Sequence, residues 1–274
     1  MTPRTDAASF ETAWKNLGAI YPADSWFRDV HLAEGKGRFQ RIVRDLTGLV
    51  PPDQEHPVVD VGCYNGFLSY LLHQFGYVTS GIDGIADQEV PERAGIIEKV
   101  GGKFYRGNFN DPEPFPDCPK DRFSAAIVAG VMEVTFNHPS GLLEKTRDLL
   151  VRDGILVLSA INPHTLANAV RIFRGRSTME GDAEFATTPK LGADGRIISH
   201  QPKQLVYREY PQALLAGLLE QAGFTVLKWE YFGARPHPKQ PRFTRLMKAN
   251  PLWSWMEQRR LFGSGIHLVA RRTR

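Results

Sequence analysis

The chain has 274 residues, of which 42% are hydrophobic and 23% charged, and its formal net charge is +4. These proportions are typical of a soluble globular protein that is long enough to bury a sizeable core. The sequence has no run of 18 apolar residues and no secretory signal pattern near its start, so we expect no membrane span and a cytoplasmic location. Two cysteines are too few for a disulfide framework, which fits a reducing compartment.

Strand and helix patterns alternate along most of the chain. Two helices are predicted, over Thr12–Asn16 and Gly37–Leu49, before the Pro51-Pro52 breaker. After it, strands are predicted over 57–62, 77–83, 103–108, 123–131, 153–161, 224–233 and 263–272, and helices over 66–76, 89–100, 139–151 and 210–223. Repeated strand–helix units predict an α/β fold with a doubly wound, mostly parallel seven-stranded sheet, closed by an antiparallel pair.

Two segments lie outside the repeating pattern. Residues 1–52 are predicted to form an N-terminal helical cap, and residues 53–274 a Rossmann-like domain. Within that domain, residues 162–207 form a polar, glycine-rich insertion, and a connection of this length is usually functional. We expect this insertion and the aromatic-rich stretch 21–39 to act as a lid over the substrate.

The stretch VVDVGCYNGFLSYLLHQFGYVTSGID, residues 58–83, carries the clearest functional pattern. A predicted strand ends at Asp60, a turn with Gly62 and Gly66 leads into a helix, and the next strand ends at Asp83. Ligands of doubly wound sheets bind beyond the carboxyl ends of the strands. A carboxylate about 20 residues after the first glycines is placed to accept hydrogen bonds from ribose hydroxyls.

Three ligand classes compete for such a turn. A phosphate-binding P-loop needs Gly-Lys-Ser/Thr, which is absent, and the dinucleotide pattern G-x-G-x-x-G is not matched. The remaining pattern is D-x-G-x-G-x-G, with Tyr64 in place of its middle glycine. An acid at Asp60 suits an ammonium group better than a pyrophosphate, which favours a nucleoside with an amino-acid arm.

This stretch resembles motif I of the class I S-adenosylmethionine-dependent methyltransferases, and similar segments continue to about Phe224. The resemblance implies S-adenosylmethionine as the cofactor. In the family a glycine–acid pair follows strand three, where this chain has Gly107 and Asn108, whose carbonyl oxygen can still accept from the adenine amino group. The cofactor-binding residues that it implies are Asp60, Gly62, Cys63, Tyr64, Gly66, Asp83, Gly84, Ile85, Asn108, Phe109 and Gly130.

A base that takes a proton from the acceptor would assist transfer to a hydroxyl. The segment AGVMEVTFNHP resembles one in which the family often has a Glu-His pair, although here Val134 follows the glutamate. The predicted catalytic residues are His138, His164 and Glu133, with His31 and His200 as further histidines in flanking segments. The sequence contains no ligand cluster that indicates a metal.

The segment SAINPHTLANAVRIFRGR resembles bacterial methyltransferases found among enzymes of glycan and lipid biosynthesis. That resemblance implies O-methylation of a small-molecule or sugar- or lipid-linked acceptor. N- or C-methylation of a natural product stays open, as does a non-catalytic Rossmann-type protein that only holds a cofactor. The motifs of DNA methyltransferases are absent, so we expect no nucleic-acid partner, whereas a homo-oligomer is compatible with the sequence.

Overall fold

The structure is a computed structural model. It describes residues 7–20, 33–84, 90–109, 111–135, 139–173, 210–233 and 263–273, together with 252, 255–256 and 258–259. In this part of the chain the strands are β1 (Val58–Val61), β2 (Thr79–Asp83), β3 (Phe104–Arg106), β4 (Phe123–Ala129), β5 (Leu150–Ile161), β6 (Phe224–Phe232) and β7 (Gly265–Arg272). The helices are α1 (Ala7–Ala19), α2 (Ala33–Leu49), α3 (Phe67–His73), α4 (Val90–Lys99), α5 (Pro139–Leu149), α6 (Leu166–Phe173) and α7 (Gln212–Gln221).

The strands form a seven-stranded sheet in the order β3-β2-β1-β4-β5-β7-β6. Strands β1 to β5 pair in parallel, and β7 runs antiparallel to both of its neighbours, β5 and β6. This confirms the predicted mostly parallel α/β sheet with an antiparallel closing pair. Strand β7, the last in the chain, lies between β5 and β6, so β6 forms one edge of the sheet.

Several elements differ from the sequence prediction in length, and helix α6 was not predicted; α1 and β5 are two examples. Helix α1 is longer than the predicted Thr12–Asn16, because Phe10, Ala13 and Leu17 are buried at helical spacing. Strand β5 begins at Leu150, before the predicted start, and its pairing with β4 shifts register. That irregularity includes Asp153, whose φ of 62° is left-handed, as expected of a bulge.

Apolar side chains cover both faces of the sheet. One core cluster joins β1, β4 and β5 to the buried leucines of α5 and α7. A second cluster joins the opposite face to α1, α2 and α3, and includes Phe10 of α1 and Ile42 of α2. The two N-terminal helices therefore share a hydrophobic core with the sheet. A boundary near residue 52 between a cap and the Rossmann-like domain stays a proposal.

A buried polar cluster fixes α2 on this second face. The ring of His267 in β7 is fully buried, with Nε2 2.8 Å from Asp45 Oδ2 of α2 and Nδ1 3.1 Å from Ser159 Oγ of β5. Asp45 also accepts hydrogen bonds from Lys228 at 2.8 Å and Arg44 at 2.8 Å. Burial alone raises the pKa of Asp45, but the hydrogen bonds from His267, Arg44 and Lys228 bring it below its ordinary value.

Burial lowers the pKa of His267 by more than its contact with Asp45 raises it, so the ring is neutral at pH 7. The tautomer that suits both contacts carries its proton on Nε2, which donates to Asp45, while the Ser159 hydroxyl donates to Nδ1.

Across the described ranges, no helix combines the length and apolar character that crossing a membrane would require.

Candidate functional site

The turn after β1 follows a left-handed path at three positions. Gly62, Tyr64 and Gly66 have φ of 80°, 46° and 72°. The backbone N–H groups of Gly62 and Cys63 donate to the Ile82 carbonyl of β2 at 2.8 and 3.1 Å, which holds the turn over the ends of both strands. Glycine avoids the steric cost of this conformation, so the sequence places glycine at two of the three positions.

Gly62 is required by space as well as by conformation. A Cβ at this position would lie 2.2 Å from Cγ2 of Val131, the second residue after β4. The turn and the segment that leaves β4 are therefore in direct contact. Cys63, the next residue, is 4% exposed, and its Sγ lies 2.7 Å from the ideal Cβ position of Gly81 in β2. Its side chain packs against the sheet beneath the turn.

Tyr64 takes the left-handed conformation that the middle glycine of the motif would supply. Its backbone N–H donates to Asp83 Oδ2 at 2.6 Å, and its side chain is 36% exposed. A left-handed conformation costs a residue with a Cβ about 1–2 kcal/mol. The hydrogen bond to a carboxylate offsets part of this cost. Asp83 thus shapes the turn in addition to any contact with a ligand.

Two carboxyl groups meet where β1 and β2 end. Asp60 is 4% exposed, and its burial, together with the nearby negative charge of Asp83, raises its pKa to about 8. A buried acid in this state is poorly solvated as an anion, so a cationic group that reached it would be strongly stabilised. An ammonium is such a group, because it favours the ionised carboxylate, whereas a pyrophosphate would favour the protonated carboxyl and gain no charge attraction from it.

The segment after β3 forms the next wall of the site. Gly107 donates its N–H to the Asp83 carbonyl at 3.1 Å, and a Cβ on Gly84 would lie 2.7 Å from the Gly107 carbonyl oxygen. Asn108 is exposed, while Phe109 is half-buried and packs edge-on against Phe115 with 6.2 Å between ring centroids. A flat apolar surface and an exposed amide therefore lie beside the end of β2.

Beyond β4 the chain turns at Gly130, which is exposed and has a φ of 74°. Glu133 follows in a short 3-10 helix, Met132–Val134, and is only 3% exposed. Its Oε1 accepts a hydrogen bond from the Ile161 N–H at 2.5 Å, which links the ends of β4 and β5. This contact gives Glu133 a structural function, and its catalytic function stays a prediction.

The segment after β5 places His164 near the same edge of the sheet. Asn162 is buried, donates from Nδ2 to the Gly263 carbonyl at 2.6 Å, and accepts from the His164 N–H at 3.1 Å. Thr165 caps α6, because its Oγ1 accepts from the Asn168 N–H at 3.1 Å. His164 is half-buried at the carboxyl end of β5, where a base for the acceptor is expected.

Several predicted site residues lie outside the described residues. These are Ile85, His138, His31 and His200, together with the insertion beyond residue 173 and most of the stretch 21–39. Sequence reasoning did not identify the cluster of Asp45, His267 and Ser159, or Arg38 of α2, whose Nη1 lies 3.1 Å from the ideal Cβ position of Gly130. The sequence did carry one indication of these residues of α2: they are polar and lie on the face of the helix that packs on the sheet, where the other residues are apolar.

The arrangement fits an adenosine that carries an amino-acid arm. The left-handed turn brings backbone close to the ligand region without side chains at Gly62 and Gly66. Asp83 ends β2, and Asp60 lies in the neighbouring strand β1; the binding of ribose by Asp83 and of an ammonium by Asp60 stays a prediction.

Comparison with solved structures gives proteins of the same fold. Magnesium protoporphyrin IX methyltransferase from Synechocystis PCC 6803, with bound S-adenosylhomocysteine, is 17% identical with a TM-score of 0.54, over 97% of this chain and 95% of that one. A possible histamine N-methyltransferase from Thermotoga maritima is 13% identical with a TM-score of 0.51, over 97% and 99%. The 1,6-didemethyltoxoflavin-N1-methyltransferase of Burkholderia thailandensis is 17% identical with a TM-score of 0.50, over 100% and 93%.

A comparison with curated protein sequences gives no match. The profile of a protein family described as "Methyltransferase domain" matches residues 35–228, which span α2 to β6. The match covers most of the chain, including the turn after β1 and both carboxyl groups. The chain therefore belongs to this methyltransferase-domain family, which confirms the predicted enzyme class, an S-adenosylmethionine-dependent methyltransferase.

Proposed function

We propose that the protein transfers the methyl group of S-adenosylmethionine to a hydroxyl oxygen of a small-molecule or sugar- or lipid-linked acceptor in the cytoplasm. The choice of S-adenosylmethionine as the methyl donor rests on the turn after β1. A hydrogen bond from the Tyr64 N–H to Asp83 holds this turn in its left-handed conformation. The acceptor half rests on the sequence resemblance to bacterial O-methyltransferases of glycan and lipid biosynthesis.

In this proposal each strand end contributes to one part of the cofactor. The turn from Gly62 to Gly66, with Cys63 beneath it, surrounds the methionine arm, and Asp60 faces its ammonium. Asp83 accepts hydrogen bonds from the ribose hydroxyls, with Gly84 and Ile85 next to it. Asn108 and Phe109 bind adenine, the amide oxygen by a hydrogen bond and the ring by packing. Gly130 leaves room beside the arm at the end of β4.

The cofactor supplies a methyl group on a positively charged sulfur, which is a good leaving group. The protein has to hold the acceptor oxygen in line with the carbon–sulfur bond and keep water away, since alignment alone accounts for several orders of magnitude in rate. Of the two predicted catalytic histidines, His164 lies among the residues that the structure describes. It is half-buried at the end of β5, which suits a base that takes the proton of the acceptor. His138 and Glu133 complete the proposed catalytic set.

The first test is calorimetric titration with S-adenosylhomocysteine and, separately, with NAD. We expect micromolar binding of S-adenosylhomocysteine to the wild type and its collapse in Asp83→Ala, because this change removes both the ribose acceptor and the partner of the Tyr64 N–H. Binding of NAD alone, or of neither ligand, would refute the cofactor proposal.

N-methylation is the competing acceptor chemistry. Two of the structurally similar proteins are named as N-methyltransferases, and the described edge of the site does not favour oxygen over nitrogen. A panel of phenols, sugar alcohols and amines, with transfer of a radiolabelled methyl group as the readout, separates these acceptors. Tight binding of S-adenosylhomocysteine without transfer to any acceptor would instead support a non-catalytic binding protein.

A further inference from the structure

Helix α6 presents an apolar stripe to solvent. Leu166, Val170 and Phe173 follow one another at spacings of four and three residues, so they lie along one side of the helix. All three side chains are exposed, Phe173 by 92%. A surface helix of a globular protein normally turns such a stripe towards the core. The stripe of α6 faces outward instead, as expected of a surface that contacts another body.

A further exposed apolar side chain, Trp255, belongs to the same edge of the sheet. The guanidinium of Arg259 stacks over its ring, with Cζ 4.6 Å from the centroid. The Gly263 N–H donates to the Arg259 carbonyl at 2.9 Å, and the Gly263 carbonyl accepts from Asn162 Nδ2 at 2.6 Å. Asn162 directly follows β5 and comes four residues before α6. Hydrogen bonds thus connect the segment of Trp255 to the start of the segment that carries the stripe.

We call Leu166, Val170, Phe173 and Trp255 the apolar rim, and the sequence around it is basic. Residues 162–179 contain three arginines and no aspartate or glutamate. Residues 242–260 contain five lysines and arginines and one glutamate. The rim therefore lies within two segments whose sequences carry an excess of positive charge.

Three kinds of partner would gain from different parts of this surface. A second copy of the chain would cover the apolar rim, but it would also bring the basic segments of both copies together, and like charges repel. A nucleic acid would gain from the arginines but little from the aliphatic Leu166 and Val170, since bases stack on aromatic rings. An anionic bilayer gains from both, because apolar side chains enter the boundary between headgroups and acyl chains while arginines stay at the phosphates.

We propose that the apolar rim docks the protein on the surface of a membrane that contains anionic lipids. Phe173 and Trp255 enter the interface, and Arg259 stays at the level of the headgroups. The contact is peripheral, because the stripe covers only about two turns of helix.

Docking in this way has a consequence for the acceptor. His164 precedes Leu166 by two residues, so the candidate base comes close to the lipid surface. An acceptor with a lipid anchor then reaches the site without leaving the membrane. This consequence rests on the proposed function, whereas the docking itself does not.

Vesicle flotation measures the docking directly. The full chain is mixed with vesicles of phosphatidylcholine alone, or of equal parts of phosphatidylcholine and phosphatidylglycerol, at low and at high ionic strength. We expect binding to the vesicles with phosphatidylglycerol, and this binding should weaken as salt rises, because ions screen the attraction between arginines and anionic lipids. Binding to phosphatidylcholine alone should be at least about tenfold weaker.

Phe173→Ser and Leu166→Ser test the apolar part of the contact. Each removes an exposed side chain, so the fold should be retained, and Phe173→Ser should weaken binding to the anionic vesicles by about tenfold. Leu166→Ser should weaken it by about threefold to tenfold, since this side chain is smaller and less exposed. Arg259→Gln should weaken it by about fivefold and reduce its salt dependence.

Leu49→Ser is the matched control for Leu166→Ser. Leu49 is 48% exposed and Leu166 49%, so the two substitutions remove the same side chain at the same exposure. Leu49 ends α2, and the next residue, Val50, accepts from the Tyr77 hydroxyl just before β2 begins, at the opposite edge of the sheet. This variant should bind both kinds of vesicle as the wild type does. Thermal unfolding of each variant checks that the fold is retained.

Several outcomes would overturn the inference. The wild type could bind neither kind of vesicle, or Leu49→Ser could weaken binding as much as Leu166→Ser does. Normal binding of both Phe173→Ser and Leu166→Ser would show attraction by charge without insertion. A dimer that Phe173→Ser dissociates would assign the rim to a second copy of the chain, and tighter binding of a single-stranded oligonucleotide than of the vesicles would assign it to a nucleic acid.

Titration with S-adenosylhomocysteine keeps this inference separate from the proposed function. A protein that binds S-adenosylhomocysteine but no vesicle refutes the docking and leaves the cofactor proposal standing. A protein that binds anionic vesicles but not S-adenosylhomocysteine refutes the proposed function and leaves the docking standing.

Discussion

Replacing Gly62 with alanine tests the geometry of the turn after β1. The new Cβ would lie 2.2 Å from Cγ2 of Val131, well inside van der Waals contact, and would be held at a φ of 80°. The left-handed conformation costs about 1–2 kcal/mol for a residue with a Cβ. Overpacking against Val131 costs about 1–3 kcal/mol more. We expect Gly62→Ala to lower the free energy of unfolding by about 2–5 kcal/mol, the sum of the two contributions.

Urea unfolding followed by circular dichroism measures this loss. Gly48→Ala is the control, because Gly48 is exposed in α2 with no atom within 4 Å of an added Cβ and should gain stability by up to about 1 kcal/mol. The double variant Gly62→Ala/Val131→Ala separates the two contributions. Removing the Val131 methyl groups should recover the overpacking part and leave the conformational part, so the two substitutions should not be additive.

Two results would refute this reasoning. A loss below about 0.5 kcal/mol in Gly62→Ala would mean that the turn relaxes without cost, against the close contact and the left-handed φ. Full additivity of Gly62→Ala with Val131→Ala would mean that these residues do not touch. Calorimetric titration with S-adenosylhomocysteine on the same proteins then shows whether the distortion also reaches the cofactor site.

The remaining predictions concern single side chains of the site and of the polar cluster. Tyr64→Gly should keep the affinity for S-adenosylhomocysteine within about tenfold of the wild type, because glycine adopts the same left-handed φ and keeps the N–H that binds Asp83. Complete loss of binding in a titration would show that the tyrosine ring forms part of the site. Asp60→Asn should stabilise the ligand-free protein more at pH 8 than at pH 5. Because the folded pKa of Asp60 is about 8, the stability of the wild type falls as pH rises from the ordinary carboxyl range to 8. Equal gains in the free energy of urea unfolding at the two pH values would contradict this. His267→Gln should be less stable than the wild type at pH 7.5, and this deficit should shrink towards pH 5. The folded-state pKa of His267 is lowered, so the unfolded wild type binds a proton first as pH falls below its ordinary value; a deficit that does not change with pH in urea unfolding would exclude that linkage.

The parallel part of the fold and its glycine turn could be predicted from local sequence. Strands β1, β4 and β5 contain apolar runs, and Gly62 and Gly66 mark a turn between a strand and a helix. Local patterns work here because each strand–helix unit is contiguous in the chain. They also placed Asp83 at the end of β2, as the structure has it, and Asp60 at the end of β1, which the structure extends to Val61.

Long-range relations could not be predicted in this way. His267 and Asp45 are 222 positions apart, and nothing in either local segment indicates that the two side chains meet. The same holds for the insertion of β7 between β5 and β6, because an antiparallel pair can join a sheet through either strand. The approach of Arg38 to Gly130 gives no sequence signal either, because glycine has no side chain.

The interior position of β7 affects how the protein is made. During synthesis residues 58–161 leave the ribosome before β6 and β7, so β1 to β5 can pair while later residues are still being added. Strand β6 follows, but its neighbour in the sheet is β7, which emerges afterwards. Until then β5 has an open edge, and Asp45 of α2 lacks the histidine that anchors it. The nascent chain therefore exposes an unpaired edge of β5 until β7 has left the ribosome, and the contact between Asp45 and His267 forms only after that.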